Sequence, residues 1–427
     1  MTQPKTMQSK ETNFTVVDLF AGCGGFSLGF GSAGFHLKLA VEIDTWACDT
    51  LQFNHPESRV IKGDITQISD DIIYTLCPKR PDVIVGGPPC QGFSIAGPAR
   101  KDPSDPRNSL FTYFAKWVGC LEPEVFVMEN VKGLLARRNA QGISVAKIIE
   151  QTFKDLGYHV QLWVLNSAHY GVPQIRERIF FIGTRTAAKL SQPNPEFSLD
   201  VEEGVFDFES LPVRKALTLW DAISDLPELA AGEGEEDQPY SIAAQTEYQK
   251  WARGTQQRLF NHVAMSHSAR LVERFKRIKW GESSADVPVE FGARARNGRG
   301  ILSGASYDQN NRRLHPHKPS HTIAASFYAN FVHPYQHRNL TAREGARLQS
   351  FPDSYRFMGK KTVVSHRLLS REQRLDERFL CQYNQIGNAV PPLLARAVAL
   401  EVKKYLQHVR IKQQTCSRLQ SFAERTA

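Results

Sequence analysis

The chain has 427 residues, of which 41% are apolar and 23% charged, a composition typical of a soluble globular protein with two or three domains. Its formal net charge of +9 is compatible with a polyanionic partner, although many soluble proteins are mildly basic. No run approaches the roughly 18 apolar residues of a membrane span, residues 1–13 lack the apolar core of a secretory signal, and the seven scattered cysteines include no Cys-x-x-Cys pair. We therefore expect a cytoplasmic protein with neither a disulfide framework nor a metal site.

Short apolar runs alternate with helical patterns from Phe14 to about Arg185. This alternation is typical of βαβ units and predicts an α/β fold with a parallel sheet. We predict strands near Thr15–Leu19, Leu37–Val41, Arg59–Lys62, Asp82–Val85, Glu124–Met128, Tyr158–Leu165 and Arg178–Gly183.

A glycine-rich loop, residues 18–29, follows the first strand and opens a helix, where glycines let the backbone approach a ligand closely. Glu42 ends the second strand at the distance expected for a carboxylate that binds ribose hydroxyls, and Asp64 follows the third, where it could meet an adenine amino group. Ser27 occupies a position where the dinucleotide fingerprint needs Gly or Ala, which disfavours a pyrophosphate cofactor. A tight turn without ligand is the alternative, but three carboxylates after three successive strands favour S-adenosylmethionine.

The fourth strand leads into a Pro-Pro-Cys loop that holds Cys90 at a strand's carboxyl end. A thiol held there suits a nucleophile, and a buried structural cysteine is the alternative. Glu129 ends the fifth strand, while Arg176 and Arg178 lie two residues apart and would share one face of a strand. Separately these residues fit a salt-bridged carboxylate and solvated arginines, but together with Cys90 they favour a catalytic group.

The composition changes after Gln192. Acidic, loop-like stretches are followed by a basic region over Lys250–Lys318, which predicts a second domain with one basic face. Its Gly292–Gly300 segment suits either a solvated loop or contact with phosphates, and the surrounding arginines favour phosphates. Further along, residues 361–382 form a charged insertion of unknown role, and the sequence Gly387-Asn388-Ala-Val-Pro-Pro precedes an alanine- and leucine-rich helix.

These motifs follow one another in a fixed order along nearly the whole chain, apart from its variable middle. They are Asp18–Gly29, Glu42, Gly63-Asp64-Ile65, Pro88-Pro89-Cys90-Gln91, Glu129-Asn130-Val131, Gln174-x-Arg176-x-Arg178, the Leu340–Pro352 segment and Gly387–Pro392. As an ordered set they resemble the DNA (cytosine-5) methyltransferases of bacteria and phages. The resemblance implies a Rossmann-like, S-adenosylmethionine-dependent methyltransferase fold with a mixed sheet and a smaller target-recognition domain.

The resemblance also implies roles for individual residues. Cys90 would add to carbon 6 of a flipped-out cytosine, and carbon 5 would then take the methyl group. Glu129 would bond ring nitrogen 3, Arg178 the carbonyl oxygen, and Arg176 would lie near Cys90. The implied cofactor residues are Asp18, Phe20, Gly22, Gly24, Gly25, Glu42, Ile43, Asp64, Ile65, Pro89, Leu110, Asn388 and Val390. Ile43 stands where many relatives have an aromatic residue.

By the same resemblance, residues 14–190 and 383–408 would form the catalytic domain and residues 191–360 the target-recognition domain, with flexible tails at 1–13 and 412–427. The expected partner is double-stranded DNA, contacted by Arg294, Arg296, Arg299, Arg312 and Arg313. Protection of host DNA in a restriction-modification system is implied, with a restriction endonuclease acting on the same site but not required as a subunit. We expect a monomer.

Three other interpretations stay open. A tRNA cytosine-5 methyltransferase shares the motifs but usually has a shorter middle segment. A silent DNA-binding relative need not keep Cys90, Glu129, Arg176 and Arg178, all of which are present. A redox Rossmann protein is disfavoured by Ser27.

Overall fold

The computed structural model describes residues 14–89, 110–139, 141–188, 190–199, 213–292, 310–362, 366–374 and 379–426. Its strands are β1 (Phe14–Leu19), β2 (Phe35–Glu42), β3 (Arg59–Lys62), β4 (Val83–Gly86), β5 (Val125–Val131), β6 (His159–Asn166), β7 (Glu177–Thr184), β8 (Phe197–Ser198), β9 (Arg214–Lys215), β10 (Asp237–Pro239), β11 (Arg258–Phe260), β12 (Arg312–Arg313) and β13 (Phe331–Val332). Its helices are α1 (Gly25–Ser32), α2 (Thr45–Asn54), α3 (Asp70–Leu76), α4 (Leu110–Leu121), α5 (Val145–Asp155), α6 (Leu219–Ile223), α7 (Glu247–Arg253), α8 (Ala269–Arg277), α9 (Phe327–Asn330), α10 (Ala342–Leu348), α11 (His366–Arg371), α12 (Gln382–Asn388) and α13 (Pro392–Thr426).

Strands β1 to β7 form one mixed sheet in the order β3-β2-β1-β4-β5-β7-β6. The first five pair in parallel, and β7 runs antiparallel to both β5 and β6. The seven predicted strands are confirmed, and the α/β class with them. Because the chain moves outward in opposite directions from β1 and β4, the carboxyl ends of these strands border a crevice of the kind in which open α/β sheets bind ligands.

Helices cover both faces of this sheet. Phe30 of α1 packs with Leu394 of α13 on one face, and Trp117 of α4 lies with Phe153 of α5 on the other. All four side chains are fully buried, and burial of an apolar side chain of this size contributes about 1.5–3 kcal/mol. The helix that follows Pro391 therefore covers the sheet that the amino-terminal strand begins.

A second core lies outside the sheet and includes side chains of α6, α7, α9, α10 and α12. It adjoins a group of buried charges in which Arg347 pairs with Asp225 at 3.1 Å and with Asp353 at 2.6 Å. Tyr383 and Ile386 of α12 and Ala389 just after it belong to this core, whereas Val390 belongs to the sheet core and Leu393 packs against the second core again. The two cores therefore meet over residues 389–393, and the division into domains stays a prediction.

Two further segments differ from simple loops and tails. The main-chain nitrogen of Gln382 donates to the carbonyl oxygen of Lys360 at 3.1 Å, so the insertion leaves and rejoins the fold at one place. Helix α13 continues through residues 412–426, and the flexibility of this tail stays a prediction. This stretch has no glycine or proline, so nothing in its sequence ends the helix.

No helix among the described residues is both long and apolar enough to cross a membrane.

Candidate active site

The glycine loop and the end of β2 are joined by main-chain bonds to one carboxylate. Glu42 accepts from the nitrogen of Gly22 at 2.7 Å through Oε2, and from the nitrogens of Ile43 and Asp44 at 2.9 Å through Oε1. Gly22 has φ 54°, a conformation that glycine adopts without strain. The second strand therefore fixes the loop that follows the first, at the carboxyl edge of the sheet.

Space remains next to this loop. A Cβ atom built on Gly22 would meet no atom within 4 Å, and the side chain of Ile43 is 64% exposed. Phe20 adopts φ 55°, an uncommon value for a residue with a side chain, and is half-buried at the start of the loop. Backbone and carboxylate groups thus border an open position where a ligand can lie.

Asp18 lies fully buried beneath the loop. Its Oδ2 accepts from the Ser27 nitrogen at 3.1 Å and the Ser27 hydroxyl at 2.6 Å, and its Oδ1 has no hydrogen-bond partner among the described residues. Burial raises the pKa of Asp18 to about 7, with a smaller contribution from the nearby Glu42 charge. A buried carboxyl oxygen without a partner fits a site whose ligand supplies hydrogen-bond donors.

The carboxyl-terminal motif reaches the same loop. A Cβ atom on Gly25 would lie 2.2 Å from the carbonyl oxygen of Val390, so only glycine allows this close approach. Asn388, two residues earlier, is exposed. Two motifs more than 360 positions apart therefore meet at the glycine loop.

The remaining predicted cofactor residues lie at nearby strand ends and helix starts. Gly24 caps α1 at φ 89°, Asp64 accepts from the Thr66 nitrogen at 2.9 Å, and Ile65 is buried in the sheet core. The other two, Pro89 after β4 and Leu110 at the start of α4, are partly buried. Their contact with a cofactor stays a prediction.

The predicted carboxyl group lies at the end of β5, paired with an arginine of β7. Arg178 Nε donates to Glu129 Oε1 at 2.8 Å, and both side chains are largely buried. A Cβ atom on Gly87 would lie 3.2 Å from Glu129 Oε2, and Asn130 donates to the carbonyl oxygen of Pro88 at 3.1 Å. The end of β5 thus adjoins the chain that leads into the Pro-Pro-Cys loop.

Burial and charge act on Glu129 in opposite directions. Burial raises the pKa of Glu129, while the positive charges of Arg178 and Arg176 lower it, and burial dominates. The site therefore favours the protonated form of Glu129, which can donate a hydrogen bond, more than water does. Cys90 itself lies outside the described residues, so its distance from Glu129 stays a prediction.

Arg176 is bonded to backbone of two other segments. Its guanidinium donates to the carbonyl oxygens of Ile323, Gly387 and Ala389 at 2.7, 3.0 and 3.2 Å, and the residue is only 2% exposed. Its Nε has no partner among the described residues. Arg176 therefore joins the segment before α9 to the end of α12, and its position near Cys90 stays a prediction.

The predicted DNA contacts have three outcomes. Arg294, Arg296 and Arg299 lie outside the described residues, and Arg312 is partly exposed in β12. Arg313 is buried, and its guanidinium donates to carbonyl oxygens of Phe275, Ile278, His333, Pro334 and Gln336. These bonds support the fold, and a contact of Arg313 with DNA stays a prediction.

Tyr355 lies just after the Leu340–Pro352 motif, and no role for it follows from the sequence. Its hydroxyl donates to the carbonyl oxygen of Cys23 in the glycine loop at 2.5 Å. A tyrosine hydroxyl that is fully buried usually needs a partner, but the sequence gives no indication that this partner is 332 positions away.

No group of three or more His, Cys, Asp or Glu side chains among the described residues could hold a metal ion.

Comparison with known proteins identifies this arrangement. The family model for C-5 cytosine-specific DNA methylase matches residues 14–404. The chain is 45% identical to the Type II methyltransferase M.DdeI of Desulfomicrobium norvegicum over 93% of this chain and 90% of the relative. It is 38% identical to the Type II methyltransferase M1.HphI of Haemophilus parahaemolyticus over 92% of this chain and 87% of the relative.

The solved structures agree. A candidate DNA modification methyltransferase encoded within an E. coli prophage matches with a TM-score of 0.67 and 26% identity over 92% of this chain and 100% of that one. The chain therefore belongs to the C-5 cytosine-specific DNA methylase family, whose members are S-adenosylmethionine-dependent enzymes that act on DNA.

Proposed function

We propose that this protein methylates carbon 5 of cytosine within a short specific sequence of double-stranded DNA. The observation that carries the proposal is the buried pair of Glu129 and Arg178 beside Gly87 and Pro88, the residues that lead into Cys90. Family membership and the relatives named as Type II methyltransferases support the same conclusion.

Cys90 is the nucleophile in this proposal. Its thiolate adds to carbon 6 of a cytosine taken out of the helix, which makes carbon 5 nucleophilic. After carbon 5 is methylated, it loses its proton and the Cys90–carbon bond breaks, which releases 5-methylcytosine and the free thiol. Charge develops on the ring during the addition, so neighbouring groups must stabilise it.

Glu129 and Arg178 supply that stabilisation. The raised pKa of Glu129 favours a protonated carboxyl that donates to ring nitrogen 3, and its bond to Arg178 fixes its orientation. Arg178 donates a hydrogen bond to the carbonyl oxygen of the base. Arg176 holds backbone of two segments around this site, so we assign it to positioning.

The pocket beside Gly22 holds the cofactor. Glu42 would accept from the ribose hydroxyls and Asp64 from the adenine amino group, with Ile43 against the ring. Asp18, Phe20, Gly24, Gly25, Ile65, Pro89, Leu110, Asn388 and Val390 complete the proposed pocket. When bound, S-adenosylmethionine supplies an electrophilic methyl group.

DNA recognition belongs to residues 191–360 in this proposal, with 14–190 and 383–408 as the catalytic domain. Arg312 is the partly exposed candidate contact, and phosphates or guanines are suitable partners for arginine. We infer that the enzyme acts as a monomer in the cytoplasm, where bacterial DNA lies. It would protect host DNA against a restriction endonuclease that cuts at the same sequence but is not a subunit.

Bisulfite sequencing of DNA from cells that express this chain, beside cells that express the Cys90→Ala variant, tests the proposal. We expect protected cytosines at one short motif with the wild type and none with the variant. Protection that persists in the variant would refute the role of Cys90. No protection by folded, cofactor-binding wild-type protein would refute DNA methylation and favour an RNA substrate or a silent DNA-binding role.

A further inference from the structure

The insertion, residues 361–382, starts and ends beside the proposed cofactor pocket. Lys360, just before it, and Gln382, its last residue, are joined by the 3.1 Å main-chain bond. Its last residues extend to the start of α2, where the nitrogen of Leu380 donates to Asp44 Oδ2 at 2.7 Å. The insertion therefore contacts the chain only two residues after Glu42.

Asp44 links this contact to the ribose carboxylate. Its Oδ1 caps α2 by accepting from the Ala47 nitrogen at 2.9 Å, and its own nitrogen donates to Glu42 Oε1 at 2.9 Å. The three bonds of Asp44 thus connect the insertion, the first turn of α2 and the carboxylate at the end of β2. Leu380 is thus connected to Glu42 through the side chain and the backbone nitrogen of Asp44.

An aromatic contact strengthens the same junction. The rings of Phe379 and Trp46 lie 5.4 Å apart at 61°, an edge-to-face arrangement. Gly359, just before the insertion, has φ 83°, and a Cβ atom there would lie 2.6 Å from the indole of Trp46. Trp46 is therefore held between the chain entering the insertion and the chain leaving it.

The insertion is equally tied to the opposite wall of the pocket. Gln385 of α12 donates to the carbonyl oxygens of Leu380 at 2.8 Å and Met358 at 3.0 Å, and it accepts from the Thr50 hydroxyl of α2 at 2.6 Å. Helix α12 ends at Asn388, which leads directly to Val390 against the glycine loop. Both walls of the pocket thus bond to the same few residues at the end of the insertion.

We propose that the described end of the insertion, Phe379 and Leu380, is a brace of the cofactor pocket, which holds the Glu42–Asp44 segment and α12 in register. The brace rests on the proposed function, because the ligand of the pocket is S-adenosylmethionine there. It stiffens a pocket whose adenine wall has the small, exposed Ile43 in place of an aromatic ring. A pocket that is ordered before binding pays less conformational entropy when the ligand arrives, so the brace raises affinity for the cofactor and leaves DNA affinity unchanged.

The test is the Phe379→Ala variant, with cofactor affinity measured by calorimetric titration of S-adenosylmethionine in the absence of DNA. We expect the Kd for S-adenosylmethionine to rise about fivefold or more. The KM for an unmethylated duplex that contains the target motif should stay within twofold of the wild-type value. Phe379→Leu, which keeps apolar volume against Trp46, should recover part of the affinity. It also provides the measurement if the alanine variant does not fold.

The matched control removes two exposed charges of the insertion, Arg371 and Arg374, as a double alanine variant. We expect its cofactor Kd to equal that of the wild type. A cofactor Kd of the Phe379→Ala variant within twofold of wild type would overturn the brace proposal and leave the proposed function standing. Weaker DNA binding by the control, with normal cofactor binding by Phe379→Ala, would overturn the brace proposal in favour of a DNA contact. Wild-type protein that binds no S-adenosylmethionine would overturn the proposed function as well.

Discussion

The carboxyl edge of the sheet and the second core are held together in different ways. At the edge, Gly22 bonds to Glu42 over 20 positions and Ser27 to Asp18 over 9. In the second core, Arg347 bonds to Asp225 over 122 positions, and both are fully buried. The carboxylates of the first region thus bind main chain close to them in sequence, whereas the second region includes an ion pair between two fully buried side chains far apart in sequence. Substitutions in the two regions should therefore separate chemistry from stability.

The largest expected effect is on chemistry at the sheet edge. Glu129→Gln keeps the shape of the side chain but removes the acidic proton proposed for ring nitrogen 3, so kcat should fall by about 10²–10⁴-fold. Initial rates with labelled S-adenosylmethionine measure this, and circular dichroism melting should show a midpoint close to wild type. A kcat within tenfold of the wild-type value would show that Glu129 takes no part in the chemical step.

In the second core, Arg347→Met should cost stability and not chemistry. It removes the arginine that lies 2.6 Å from Asp353 and one of the two arginines paired with Asp225, and loss of a partner from a buried ion pair destabilises a protein by about 3–5 kcal/mol. Urea unfolding followed by fluorescence measures the loss. Lys250→Met, which removes an exposed pair with Glu247, is the control and should change little. Equal stability of the two variants would contradict this account of the core.

A smaller effect is expected where the two ends of the chain meet. Gly25→Ala puts a methyl group into the carbonyl oxygen of Val390 and should destabilise the fold by about 1–3 kcal/mol while weakening cofactor binding. Gly31→Ala, in the same helix but with no atom within 4 Å of the added carbon, should be neutral or slightly stabilising. Thermal melting with and without S-adenosylmethionine compares them, and equal melting of both variants would contradict the close approach.

The last expected effect is a difference in pH response, to which each group contributes at most about 1.4 kcal/mol of unfolding free energy per pH unit. Burial lowers the pKa of His262 to about 4 and of His333 to about 3, so the second core loses stability as pH falls below about 6.5. Burial raises the pKa of Asp18 to about 7, so its carboxyl favours the folded state more as pH falls from about 7 towards 4. Hydrogen exchange at pH 7 and pH 5 should therefore show protection falling in α10 and holding in α1. A uniform loss would contradict the opposite signs.

The same contrast explains how much of the molecule the sequence predicts. β1 to β5 and Glu42 follow from local patterns, because a strand, its turn and a residue one strand away lie in one short stretch. Arg313 does not, since its burial depends on carbonyl oxygens supplied by two remote segments. A charged residue in a basic stretch looks exposed until its partners are known.

Long-range contacts account for the other gaps. The bond between Tyr355 and Cys23 and the contact of Leu380 with Asp44 join segments more than 300 positions apart. The sequence also does not predict that α13 continues past residue 411, but for a different reason. Polar composition predicts exposure, which residues 411–415 have, but exposure does not prevent a helix from continuing.

The packing of α13 on α1 also bears on how the protein is made. Lys403 bonds to the carbonyl oxygen of Ala33 across 370 positions, and the apolar side chains beside it complete the sheet core. At a synthesis rate of about 5–20 residues per second, the first half of that core waits tens of seconds or longer on the ribosome for its covering helix. Until then the nascent chain exposes an apolar face of the sheet. We therefore expect chaperones to bind the chain during translation. We also expect any fragment that stops before Pro392 to aggregate.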